Sequence, residues 1–166
     1  MIKLLVLDVD GCLTDGKIIY TSNSCEVKEF NVKDGLAIVS WIRMGHHVAI
    51  ITGRNSFIVK RRADELGIDH LYQGIKDKDK ILHEIVNTLN LELDEVAAIG
   101  DDLNDYRMLS IVGRSFTPKN GVQDIQNIVD TVLSKMGGAG VVREMIDIII
   151  EENNQKEEFL SLWIKD

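Results

Sequence analysis

Three short apolar runs, Ile2 to Val9, His47 to Thr52 and Val96 to Gly100, constrain this chain more than any other feature. They are rich in Ile, Leu, Val and Ala without helical spacing, the pattern of parallel strands buried on both faces. Between them, apolar residues recur at helical spacing. Leu36, Ile38, Val39 and Ile42 mark one helix, which Asp34 can cap and Gly45 can stop. Further helices are expected at about 56–66, 78–89, 103–112 and 141–150, with weaker strands near 70–72, 115 and 129. Strands alternating with helices predict an α/β fold, a doubly wound parallel sheet covered on both sides. Residues 17–30 read differently, as two extended runs around Thr21-Ser22-Asn23-Ser24, which is hairpin chemistry. With 166 residues, 45% of them hydrophobic, the chain can bury one core. Residues 1–150 are expected to form one domain, followed by a polar tail, 151–166, that carries the apolar patch Phe159 to Trp163.

Composition narrows the function classes. No stretch approaches the ~20 apolar residues that span a bilayer, and the N-terminus enters a strand without a leader pattern, so a cytoplasmic protein is expected. Cys12 and Cys25 are too few for a disulfide framework and lack zinc-ligand spacing, which leaves both as reduced thiols. A net charge of −8 argues against nonspecific binding to nucleic acid or an anionic membrane. An anionic substrate would need local basic groups.

Ligands of open α/β sheets bind beyond the carboxyl ends of the strands, and here each strong run ends in polar residues. The first delivers Asp8 and Asp10, with Gly11 allowing a sharp turn. The second ends at Thr52-Gly53-Arg54, the third at Gly100-Asp101-Asp102 with Asp105 one turn on, and Lys78 opens a helix. Two acidic clusters side by side repel unless a cation sits between them, and an all-oxygen site suits Mg²⁺. A carboxylate attacking a phosphoryl group meets the same repulsion, which Mg²⁺, a lysine and a hydroxyl donor together offset. Asp8 is then the candidate nucleophile, with Lys78 and Thr52 as phosphate-holding groups. Asp10, two residues on, is placed to protonate a leaving alkoxide and later to accept a proton from water.

Asp8-Val9-Asp10-Gly11-Cys12-Leu13-Thr14, Thr52, Lys78 and Gly100-Asp101-Asp102-Leu103-Asn104-Asp105 resemble, in order, the four motifs of the haloacid dehalogenase superfamily. DVDGCLTDG, FNVKDGLAI at 30–38, IITGR at 50–54, HLYQGIKDK at 70–78 and GGAGVVRE at 137–144 resemble one branch of that superfamily. Its phosphatases act on 3-deoxy-D-manno-octulosonate 8-phosphate or on nine-carbon 2-keto acid 9-phosphates. The resemblance implies an Rossmann-like phosphohydrolase that works through a phosphoaspartate on Asp8. It also implies Asp10 as acid/base and Mg²⁺ held by Asp8, the backbone carbonyl of Asp10 and Asp101, with Asp102 in support. Thr52, Gly53 and Lys78 would bind the phosphate, and Arg54, with Arg61 as a second choice, the substrate carboxylate. Only 35 residues separate Gly16 from Thr52 and 25 separate Thr52 from Lys78, too few for a cap domain. The family's implied answer is a homotetramer in which the 17–30 hairpin makes contacts and a neighbour closes the pocket. Arg54 favours the eight-carbon substrate, hence a step in lipopolysaccharide synthesis.

Plainer roles stand beside these. Asp102 and Asp105 also suit helix capping, Lys60-Arg61-Arg62 a solvated helix face, and Arg143 an anchor for the last helix. The four histidines lack ligand spacing, and Trp41 and Cys12 suit packing. A signalling receiver domain shares the acidic pair, Thr and Lys, but it places its acidic pair after the first strand and its phosphoacceptor later. An idle assembly domain is the other rival, and the intact set of candidate catalytic positions argues against it.

Overall fold

The computed structural model describes residues 1–164; the last two residues of the expected tail lie outside them. In chain order the elements are β1 (Leu4–Leu7), β2 (Ile19–Tyr20), β3 (Glu26–Val27), α1 (Val32–Arg43), β4 (His47–Ile51), α2 (Phe57–Leu66), β5 (His70–Tyr72) and α3 (Lys78–Leu89). They continue with β6 (Val96–Ile99), α4 (Tyr106–Leu109), β7 (Arg114–Thr117), α5 (Gln123–Gln126), β8 (Thr131–Val132), α6 (Val141–Glu152) and α7 (Lys156–Ser161). Six strands form a parallel sheet in the order β5-β4-β1-β6-β7-β8, and β2 pairs antiparallel with β3 in a separate hairpin.

The doubly wound sheet is thus as the sequence predicts, and its chemistry explains why. Every residue of β1 and β6 is buried, and their alternate side chains feed two cores on opposite faces. Leu5 and Leu7 join Trp41, Ile146 and Ile149 on one side, while Leu4 and Val6 join Leu82, Ile85 and Met108 on the other. The register is level across the centre, with Leu7 beside both Ile50 and Ile99, so β1, β4 and β6 end together.

Several local expectations are corrected. Asn31, not Asp34, caps α1, its Oδ1 accepting from Lys33 N at 2.9 Å. Asp34 is instead buried against α6, where its Oδ1 accepts from Arg143 N at 2.8 Å. The helix expected over 103–112 is only a 3₁₀ turn, Leu103–Asp105, with Asp105 turned inward, followed by the single turn of α4. The last strand lies at Thr131–Val132 rather than near 129, and the single turn of α5 carries no periodicity that a sequence could display. The expected boundary at 150 falls inside α6. Beyond it Phe159 packs into the core, and Trp163 Nε1 donates to Ser40 Oγ at 2.8 Å, so this segment folds back onto the same body. Among the described residues no helix is long and apolar enough to cross a membrane.

Candidate active site

Because β1, β4 and β6 end level, the residues just past them converge. Asp8 follows β1 by one position, Thr52 follows β4 by one and Asp101 follows β6 by two. Asp8, Asp10, Gly16, Thr52, Gly53, Arg54, Asp101, Asp102 and Asn104 line one cavity of about 270 Å³ at this end of the sheet. The backbone N–H of Asp8 donates to Ile99 O at 3.2 Å, which ties the β1 end to β6. Val9–Leu13 forms one wide turn, closed where Thr14 N donates to Val9 O at 3.0 Å.

Gly11 holds that turn at φ 105°, and a Cβ there would fall 2.0 Å from Asp101 Oδ2. The third face of the turn is covered by the glycine-rich stretch before α6. A Cβ on Gly137 would lie 1.9 Å from Gly11 O, and Gly138 N donates to Cys12 O at 3.0 Å. The DVDGCLTDG and GGAG segments therefore touch through backbone, which only glycine allows.

Lys78 lies beneath the cavity, with its side chain 1% exposed. Its Nζ donates to Asp8 Oδ1 at 2.6 Å and to Asp105 Oδ1 at 2.5 Å. Burial alone would lower the Lys78 pKa, but the two carboxylates outweigh it and hold the ammonium above its ordinary value. Asp105 is fully buried, and its Oδ2 accepts from Asp101 N at 3.1 Å. It is therefore no simple cap; it braces both Lys78 and the Asp101 backbone.

Burial, then the Asp105 charge, pushes the Asp8 carboxyl well up, with Lys78 pulling the other way. Burial, with repulsion from Asp105 and Asp102, raises Asp101 to about 7. Asp8, Asp101 and Cys12 each bring one ligand atom within 4.8 Å of the others. Burial pushes the Cys12 thiol up too, so it stays protonated and is a poor partner for a hard cation. The donor set that remains is all oxygen, and the strain on its two carboxylates is what a divalent cation would relieve.

Not every residue singled out in the sequence joins this group. Arg61 lies on the exposed face of α2, where Nε donates to Glu65 Oε1 at 3.0 Å, and it is absent from the cavity lining. Asp102 does line the cavity but is exposed, and its Oδ1 accepts from Leu103 N at 2.7 Å, which serves the 3₁₀ turn. Arg143 pairs with Asp147 at 2.9 Å on α6. Arg54 lines the cavity with 43% of its side chain exposed, and one nitrogen reaches Tyr20 OH and Glu26 Oε1, each at 3.4 Å. The sequence did not single out Lys28, whose ammonium donates to Asp10 Oδ1 from the end of the hairpin. The one available signal was its alternation with Glu26 along a strand, which is too weak to identify a buried cation.

Comparison with known proteins places this geometry. Residues 70–145 match the model of the haloacid dehalogenase-like hydrolases. The chain is 40% identical over 163 residues to 3-deoxy-D-manno-octulosonate 8-phosphate phosphatase of Yersinia pestis, which covers 98% of this chain and 87% of that one. The crystal structure of the Moraxella catarrhalis phosphatase of that name, in complex with magnesium, phosphate and a KDO molecule, superposes with a TM-score of 0.94 at 41% identity, over 98% of this chain and 94% of that one. A cobalt-bound form of the Haemophilus influenzae phosphatase gives 0.88 at 36% identity, over 92% and 90%.

Proposed function

The chain belongs to the haloacid dehalogenase-like hydrolases and is a phosphatase, and from that premise we propose that it removes phosphate from 3-deoxy-D-manno-octulosonate 8-phosphate with Asp8 as nucleophile. The observation that carries this reading is the convergence of Asp8, Asp10, Thr52, Arg54 and Asp101 on one cavity above the buried Lys78.

Asp8 attacks phosphorus while Lys78, already in contact with it, and Thr52 hold the phosphoryl oxygens. Asp10 protonates the leaving alkoxide, then takes a proton from the water that hydrolyses the phosphoaspartate. The carboxylates of Asp8 and Asp101 fit Mg²⁺ and would hold it together with the backbone carbonyl of Asp10, with Asp102 in support beside Asp101. Bound there, the cation would neutralise charge on the phosphoryl group. Arg54 lines the cavity with its side chain partly exposed and would supply the cation that a substrate carboxylate needs.

The same reading makes the protein cytoplasmic and a homotetramer, with the catalytic unit running past residue 150 to include the whole of α6 and the segment docked behind it. Ile18, Ile19, Tyr20 and Val27 expose apolar surface on the hairpin, which supports a neighbour packing there and closing the pocket. Comparing kcat/KM for the eight-carbon 8-phosphate, a nine-carbon 9-phosphate and glucose 6-phosphate tests the substrate. The eight-carbon ester should lead by at least ~10-fold, the scale of a single well-placed contact. A lead for the nine-carbon ester would move the chain to the neighbouring specificity, and equal values would make it a general phosphatase.

A further inference from the structure

Lys28 is a buried cation that the chemistry above does not use. Its side chain is 2% exposed although it follows a hairpin of short, exposed strands. Its ammonium donates to Asp10 Oδ1 and lies 3.3 Å from Glu26 Oε1. Taking an ammonium out of water is costly unless good partners meet it, and these two carboxylates do so. Glu26 is fixed from its other side, where Ser56 Oγ donates to Oε2 at 2.7 Å. Ser56 is the N-cap of α2, so a continuous polar chain runs from that helix through the hairpin to Asp10.

We propose that Lys28 is a positioning residue for Asp10: by holding Oδ1 it leaves Oδ2 as the oxygen that carries and delivers the proton. The inference rests on the reading of Asp10 as acid/base. In the first step an Asp8 oxygen bonds to phosphorus, the ester P–O bond breaks and the Asp10 Oδ2 proton passes to the leaving oxygen, which departs as the alcohol. In the second, water bonds to phosphorus, the P–O bond to Asp8 breaks and the water's proton returns to Asp10. Without Lys28 the Asp10 carboxyl is free to rotate and its proton loses its aim. Attack by Asp8 does not depend on that contact. The loss therefore falls on substrates whose leaving oxygen must be protonated.

The test is kcat/KM for p-nitrophenyl phosphate, phenyl phosphate and a primary alkyl phosphate in wild type, Lys28→Met and Lys28→Arg. p-Nitrophenolate leaves without a proton, whereas an alkoxide does not. Lys28→Met should keep kcat/KM for p-nitrophenyl phosphate, which reports only the steps up to phosphorylation of Asp8, within about 3-fold and lose about 100-fold in kcat/KM on the alkyl ester, the scale of general acid catalysis. Lys28→Arg, which can still donate to Oδ1, should recover about 10-fold of that loss. Equal losses on all three esters, or no loss on any, overturn the proposal. Retained p-nitrophenyl phosphate turnover doubles as evidence of folding, and if the Met variant does not fold, Lys28→Ala, which also has no donor, gives the same comparison. These esters do not report sugar recognition, so a wild-type enzyme idle on the octulosonate ester would sink the substrate reading and leave this comparison decisive.

Discussion

Lys78 carries two obligations that pull apart under mutation. It contacts Asp8, where phosphate is to be held, and it neutralises Asp105, which has no exposure. Lys78→Met should lower kcat by at least ~10³ and destabilise the fold by about 3–5 kcal/mol, since it leaves buried carboxylates without their cation. Adding Asp105→Asn should return part of the stability and none of the turnover, a split that denaturant melts and phosphate-release assays would resolve. If the double variant regained activity, Lys78 would be structural only. At this scale the sequence shows which acids sit at strand ends, because strand position alone places Asp8 and Asp101. It does not show that Asp105 turns inward, since an Asp at the start of a helical turn reads as a cap. Lys28 is less legible still, because its partner Asp10 lies 18 residues away and only the folded hairpin brings them together.

Among the elements, α1 and α6 are joined by a carboxylate on α1 that serves the open first turn of α6, whose own N-cap, Gly140, has no side chain to do so. Asp34 Oδ1 accepts from Arg143 N in the first turn of α6, while its Oδ2 is buried with no hydrogen-bond partner among the described residues. Burial raises its carboxyl to about 6, against the pull of the Arg143 and Val142 amides and of Lys135. A raised acid favours the native state in its neutral form. The contribution is therefore full below about pH 4, falls as the unfolded chain ionises first, and levels off above about pH 6. That slope should amount to at most about 3 kcal/mol. Asp34→Asn keeps an acceptor for Arg143 N and cannot ionise, so its stability should fall less steeply from pH 4 to 6 than that of wild type, the remaining slope coming from Asp8 and Asp101. A parallel decline in both would remove Asp34 as the cause. Helices with a wide apolar stripe, such as α3 and α6, are legible in the sequence. The single turns α4 and α5 are not, because four residues hold no period, and they exist by tertiary contact. Arg61 shows the opposite limit: a helix face can be read from spacing, but which way it points relative to a cavity is set by packing.

Across the whole molecule, three continuous apolar runs specify the centre of the sheet, and the level register of β1, β4 and β6 turns three distant sequence segments into one cavity. That is why the doubly wound class is readable from the chain, while the return of residues 156–164 onto α1 is not. A polar stretch with one apolar cluster fits either a free tail or a docked one, and only the presence of Ser40 and the core beside Phe159 decides it. The account depends most on Asp8. Wild type and Asp8→Asn, each incubated with the octulosonate ester and Mg²⁺, are quenched in acid, digested and analysed by mass spectrometry. The account predicts a phosphate on the Asp8 peptide of wild type, and neither modification nor turnover in Asp8→Asn; phosphate on another residue, or turnover that survives in Asp8→Asn, would contradict it.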